Sequence, residues 1–128
     1  MTTEPSIAAA TVDAFIAAIC ANDLERALTM VSDDVVYDNV PIGAVEGPDG
    51  IRQVLGGFLA PATGIDWVVH RQVADGGTVM NERTDRFEIG GTWHELPVMG
   101  VFEVADGRIT LWRDYFDMAP LQALLGGG

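Results

Sequence analysis

The chain has one cysteine, two histidines, and only seven basic residues against nineteen acidic ones. Each shortage removes a class of protein. Cys20, alone in an Ala-rich stretch, forms no internal disulfide and is expected to pack as a small hydrophobe. No basic neighbour marks it as a catalytic thiolate. A net charge of -12 excludes nucleic acid as a partner, because counterion release needs a basic stripe that seven cations cannot build among nineteen acids. Charge of this sign serves solubility. No run approaches the roughly 20 apolar residues of a membrane-spanning helix, so no membrane is expected. Met1-Thr2-Thr3-Glu4-Pro5 lacks the basic and apolar segments of a secretion signal, and a cytoplasmic protein is the expectation.

Other absences concern chemistry. His70 and His94 lack Cys or carboxylate companions at ligand spacing, so no metal and no cofactor are expected. There is no Gly-x-Ser-x-Gly elbow, so acyl-enzyme chemistry lacks a nucleophile. Gly56-Gly57 lies within a helical pattern, where it permits close packing rather than phosphate binding. Repeats and low-complexity linkers are missing too, apart from the terminal glycines.

What is present describes one domain, residues 1–128, with 48% hydrophobic and 20% charged residues. Ser6 to Cys20 reads as a helix with Ile7, Ala10, Ala14, Ile16 and Ala17 on one stripe. Asn22 or Asp23 caps a second short helix through Leu24, Ala27, Leu28 and Val31. Val35 to Val40 is β-branched and strand-like, closed by Pro41. A third helix follows Gly47-Pro48-Asp49, carries Ile51, Val54, Leu55, Phe58 and Leu59, and is bounded by Pro61. Four strands are expected at 65–74, 78–89, 92–104 and 109–117, then an apolar helix through Leu121, Leu124 and Leu125. Helices first and consecutive antiparallel strands after them indicate α+β, with helices packed on one face of a strongly curved sheet.

The turns set which side chains share a face. Ala74-Asp75-Gly76 and Ala105-Asp106-Gly107 suit three-residue hairpin loops; two-residue Asp-Gly turns compete and would flip the partner strand. Apolar patterning favours three residues. Ile65, Trp67, Val69 and Val73 then join Val79, Arg83, Asp85 and Phe87, while Leu96, Val98, Gly100, Phe102 and Val104 join Trp112, Asp114 and Phe116.

Charge therefore falls on faces that should be dry. A strand's side chains alternate with period two, so Arg83, Asp85 and Asp114 point into an apolar concavity, and Gly100 leaves room beside Asp114. Such charges persist only if paired or functional. Tyr37 and Asn39 share a face with Val35 and converge on the same region if the sheet curls. Two carboxylates bridged by one guanidinium cannot behave alike, and one protonated acid beside one ionised base forms a general acid/base pair. With Tyr37 and Asn39 fixing a water, the reaction class is addition of water to an electrophile whose leaving oxygen needs a proton. Singly, each residue has a structural reading: an Arg–Asp ion pair, or a core tyrosine with a satisfied hydroxyl.

Tyr37-x-Asn39, Arg83-Thr84-Asp85 and Trp112-Arg113-Asp114-Tyr115-Phe116-Asp117, in this order and spacing, resemble the limonene-1,2-epoxide hydrolase family. Val98-Met99-Gly100-Val101-Phe102-Glu103-Val104 and Asp106-Gly107-Arg108-Ile109 are similar to it as well. The resemblance implies a cone-like α+β fold of the nuclear transport factor 2-like (SnoaL-like, cystatin-like) type, its mixed or antiparallel sheet curled around N-terminal helices on the concave side. It implies a homodimer acting on a small, mostly apolar epoxide and water. Carried over by position, Asp85 is the general acid, Asp114 the general base aided by Tyr37 and Asn39, and Arg83 the bridge between the carboxylates. Phe87, Leu96, Val98, Trp112 and Phe116 are expected to line the pocket, with Phe58 or Leu59 added from the helix. Arg113 and Asp117 fall on the opposite parity and are read as structural; Trp93 is a candidate for the dimer interface. The chain departs from the family at Met118 and the final Gly126-Gly127-Gly128, which bears on substrate identity more than on reaction type. Competing readings are a ketosteroid-isomerase-like or polyketide-cyclase-like enzyme, and a non-catalytic small-molecule-binding module.

Overall fold

Period-two and helical patterns become nine elements in the computed structural model, which describes residues 7–120. They are α1 (Ile7–Cys20), α2 (Leu24–Leu28), β1 (Val31–Val40), β2 (Gly43–Glu46), α3 (Gly47–Leu59), β3 (Gly64–Asp75), β4 (Thr78–Ile89), β5 (Thr92–Ala105) and β6 (Arg108–Tyr115). Ser6 and the apolar helix expected through Leu121, Leu124 and Leu125 lie outside the described residues, as do the terminal glycines.

α1 buries Val12, Phe15, Ile16 and Ile19, an i, i+3, i+4, i+7 stripe. Asp23 is the residue that caps α2, its carboxylate accepting from Arg26 N at 3.1 Å, while Asn22 adopts a left-handed turn conformation. α2 stops at Leu28, so Val31 opens β1 rather than closing a helix. α3 begins with Pro48 in its first turn and buries Ile51, Leu55 and Leu59. Of the Gly56-Gly57 pair, Gly56 packs: a Cβ there would meet Leu24 at 3.4 Å, whereas one on Gly57 would meet nothing within 4 Å.

The sheet order is β2-β1-β6-β5-β4-β3, with β1 and β6 parallel and every other pairing antiparallel. The sheet is curled but not closed, and the helices lie on one side of it. β2 is an element the sequence pattern did not announce: at four residues, Gly43-Ala44-Val45-Glu46, it is too short for a periodic signal. The core is aromatic, with Tyr37 stacked on Trp112 at 4.0 Å between ring centres and Phe15 edge-on to Trp112 at 5.0 Å. Cys20 is half-buried beneath β3, its Sγ accepting from Trp67 N at 3.2 Å.

Both long hairpins turn in two residues, not three. Asp75 pairs with Thr78 around Gly76-Gly77, and Ala105 pairs with Arg108 around Asp106-Gly107, whose φ angles of 53° and 75° match a type I′ turn. Such turns should have inverted the facing strands. A bulge in each hairpin reverses that inversion: β3 slips between Val69 and Arg71, and β6 between Ile109 and Leu111. Trp67 therefore still faces Asp85, Val69 faces Arg83, and Gly100 faces Asp114. Val73 lies beyond the bulge and does flip; it pairs with Met80 and is 67% exposed, and the inward place falls to Gln72. His70, at the bulge, lies at the surface with Nε2 2.8 Å from Thr84 Oγ1. Among the described residues no helix is long and apolar enough to cross a membrane.

Candidate active site

Three strands deliver the polar groups to one region. β1 brings Tyr37 and Asn39, β4 brings Asn81, Arg83 and Asp85, and β6 brings Asp114; all six are buried. Register explains the convergence. Asn39 lies beside Asp114, Asp114 opposite Gly100, Gly100 opposite Asn81 and Asn81 opposite Gln72, a single row across five strands. Arg83 occupies the next inward row, between Val98 and Val69, and Asp85 the one after it, between Leu96 and Trp67.

Arg83 organises the cluster. Its Nε donates to Asp85 Oδ1 at 2.9 Å and its Nη2 to Asp85 Oδ2 at 3.0 Å, a bidentate fork. The same Nη2 donates to Asp114 Oδ2 at 2.8 Å, so both carboxylates meet on one nitrogen. Nη1 donates to Asn81 Oδ1 at 2.9 Å. Asp114 Oδ1 accepts from the indole Nε1 of Trp112, also at 2.9 Å. The guanidinium further lies over the Trp67 ring, 5.3 Å from its centre. Trp67 Nε1 is buried with no hydrogen-bond partner in the structure.

Burial opposes the Arg83 charge, but the two carboxylates outweigh it and hold the guanidinium protonated, above its ordinary value. Burial pushes the Asp85 carboxyl up to about 6, against the downward pull of Arg83, with Asp114 adding to the rise. Burial likewise raises the Tyr37 hydroxyl, helped by the charge of Asp114, so Tyr37 remains a hydrogen-bond donor near neutrality. The neighbouring Asn39 side chain opposes that rise in part.

These groups form the polar end of a cavity of about 230 Å³. Tyr37, Asn39, Asp85 and Asp114 reach its wall; Arg83 stands behind them, 1% exposed. Phe58, Phe87, Leu96, Val98 and Phe116 supply apolar wall, as the sequence suggested. Two expected wall residues do not reach it. Trp112 is fully enclosed beneath Tyr37, where it holds Asp114 from behind, and Leu59 faces the core while its neighbour Phe58 faces the cavity. Ile42, Val54, Leu55 and Trp67 line the cavity without having been singled out for it. A signal existed for three: Trp67 shares parity with Asp85, and Val54 and Leu55 lie one turn before Phe58 on α3. Arg113, on the outer face, pairs with Asp38 across β1 and β6 at 2.8 Å, and Asp117 accepts from Ala119 N. His94 stacks on Phe87, and Trp93 is 42% exposed on the opposite parity. Among the described residues no group of His, Cys, Asp and Glu is arranged to hold a metal.

A curled mixed sheet over helices, enclosing an apolar cavity with acids at one end, is a fold of the nuclear transport factor 2-like type. A nuclear transport factor 2-like protein of unknown function from Burkholderia pseudomallei shares this fold, with a TM-score of 0.81 at 20% identity, covering 93% of this chain and 97% of that one. The model of the limonene-1,2-epoxide hydrolase catalytic domain matches residues 6–125. Epoxide hydrolase EphG of Mycobacterium tuberculosis is 41% identical over 107 residues, 84% of this chain and 71% of that protein. The structure of an LEH-like epoxide hydrolase from M. tuberculosis superposes with a TM-score of 0.77 at 37% identity, covering 95% and 97% of the two chains. The chain belongs to the limonene-1,2-epoxide hydrolase family of enzymes.

Proposed function

We propose that the protein adds water to a small, mostly apolar epoxide, terpene-like or cyclic, to give a vicinal diol in one step. The observation that carries this reading is the pair of carboxylates hung on one Arg83 nitrogen at the polar end of an otherwise apolar cavity. Tyr37, Asn39 and Asp114 flank one place for a water molecule. Asp114 takes a proton from that water as its oxygen attacks an epoxide carbon. The carbon–oxygen bond breaks, its electron pair moves to the ring oxygen, and Asp85 supplies the proton that makes the second hydroxyl. A carboxyl that titrates near 6 is suited to this donation near neutral pH. Arg83 keeps one carboxylate charged while the other carries the proton. No bond between enzyme and substrate is required.

An isomerase working through a single shuttling carboxylate would have no use for a second acid clamped by the same guanidinium, so the site disfavours that reading. The protein is further proposed to be a single domain acting as a cytoplasmic homodimer, which light scattering of the purified chain tests for the assembly.

Single-turnover hydrolysis of limonene oxide or cyclohexene oxide in heavy-oxygen water tests the chemistry. Direct attack puts the label in the diol on the first turnover. Unlabelled first-turnover diol would instead require a carboxylate ester intermediate, and absence of diol from a range of epoxides would defeat the assignment.

A further inference from the structure

We propose that Asn81 is a positioning residue for Arg83, held in its working orientation by Gln72, which the β3 bulge turns inward. The guanidinium has three sides. Nε and Nη2 face Asp85, Nη2 also reaches Asp114, and among the described residues Nη1 donates only to Asn81 Oδ1, at 2.9 Å. Without that third acceptor the fork on Asp85 is a hinge, and the reach to Asp114 depends on where the hinge stands.

An asparagine amide has an oxygen and a nitrogen of nearly the same shape; the guanidinium, a donor only, takes the oxygen, and the amide is held in that plane when its nitrogen also has an acceptor. Asn81 Nδ2 donates to Gln72 Oε1 at 3.0 Å, and Gln72 Nε2 donates to Asp13 Oδ1 of α1 at 2.9 Å. An exposed carboxylate only accepts. Asp13 meets the nitrogen of Gln72 and Arg83 the oxygen of Asn81, so the two amides between them meet with Gln72 oxygen against Asn81 nitrogen. A surface acid on a helix and the buried guanidinium thus enforce the same polarity from opposite ends, and the chain of contacts between them holds the Asn81 amide in place.

Two backbone features make the chain possible. With Trp67 and Val69 inward, unbroken alternation would point Val73 inward and Gln72 outward; the slip between Val69 and Arg71 lets Gln72 face Asn81 on the same side as Trp67. Gly100 stands between Asn81 and Asp114 in the same row, and a Cβ there would overlap Arg83 Nη1 and come within 2.9 Å of both Asn81 Oδ1 and Asp114 Oδ1. The missing side chain is the slot in which Nη1 lies. Asn81 is also neutral, so it anchors the guanidinium without adding a third carboxylate to compete for it.

The kinetic arm of the test rests on the epoxide-opening reading; a second arm does not. Asn81→Leu removes the acceptor at similar volume, Gln72→Leu leaves Asn81 in place but frees its amide to turn out of line with Nη1, and Gln72→Glu supplies an acceptor-only group that holds the amide by itself. Asn81→Leu is expected to lower kcat by about tenfold to a hundredfold with KM within about twofold, the scale of a misplaced catalytic group. Gln72→Leu should lose several-fold in kcat, Gln72→Glu should keep the parent value, and Gln72→Leu should add nothing in the Asn81→Leu background. In the second arm, the Asp85 carboxyl is titrated by carbon NMR without substrate. The charged or titratable groups acting on or beside it are Arg83, Asp114, Tyr37 and Cys20. A loosened Arg83 holds the Asp85 anion less well, so titration should move to higher pH in Asn81→Leu and Gln72→Leu. If the parent opens no epoxide, the functional reading fails while the titration still decides the clamp. Folded variants with the parent's kcat and titration overturn the proposal; should Asn81→Leu not fold, the Gln72→Leu and Gln72→Glu pair decides it alone.

Discussion

The two faces of β4 carry two clusters of nearly the same composition. On the inner face Arg83 binds Asp85 and Asp114 and lies over Trp67; on the outer face Arg86 binds Asp66 and Glu95 and lies over Trp93. Each has one guanidinium, two acids and one indole, at similar distances. What separates them is water. The Arg83 side chain is 0% exposed, against 31% for Arg86, whose acids are more exposed still. The outer cluster exchanges one set of solvated contacts for another. In the inner one the lost hydration must be replaced by protein groups, and the same desolvation raises the proton affinity of Asp85. Near-identical chemistry thus gives a surface ion pair on one side of a strand and, on the other, the buried carboxylate pair proposed as the acid/base site.

The largest effect expected of breaking the inner cluster falls on Arg83. Arg83→Met leaves two carboxylates buried without their counter-ion and should cost about 3–5 kcal/mol, read from urea unfolding, with activity lost as well. Next come the acids. Asp114→Asn and Asp85→Asn should each lower kcat by on the order of 10²–10⁴ while circular dichroism shows a folded protein; either variant retaining most activity would refute its assigned role.

The pH dependence is a subtler difference between the faces. Asp85 titrates near 6 in the folded protein against 3.8 ordinarily, so in that interval the native state holds a proton the unfolded chain has released. The associated stability is present at lower pH and is lost as pH rises through about 6. As the proposed general acid, Asp85 works only when protonated, so kcat/KM should also fall as pH rises through about 6, and the stability slope should disappear in Asp85→Asn. The smallest effect belongs to the outer face: Arg86→Met should change stability by less than about 1 kcal/mol, diminishing further in high salt, with kcat unchanged.

How much of this could be read along the chain follows from how local each feature is. Arg83, Asp85 and Asp114 were found by parity, because a strand's alternation is a property of its own backbone. Gly100 was noticed beside Asp114, but its role as the slot for Arg83 Nη1 needs three strands at once. Trp112 has the parity of a pocket residue and lies behind the pocket instead, since parity chooses a face and not a depth. Val73 and Gln72 exchanged places because a bulge leaves little composition signal of its own. The two hairpin loops illustrate a subtler case: the turn lengths expected were longer by one residue, yet the facing pairs near the site agree, since each bulge supplies the residue the turn omits.

Side-chain alternation and an ordered set of motifs were therefore enough to nominate five polar residues, their reaction class and the family, because these depend on short-range covalent geometry and on residue order. The curvature that closes the cavity, the bulges that keep Trp67 opposite Asp85, and the links from Asp13 through Gln72 and Asn81 to Arg83 were settled only in three dimensions. They join residues distant in the chain, and their energies depend on which groups packing removes from water.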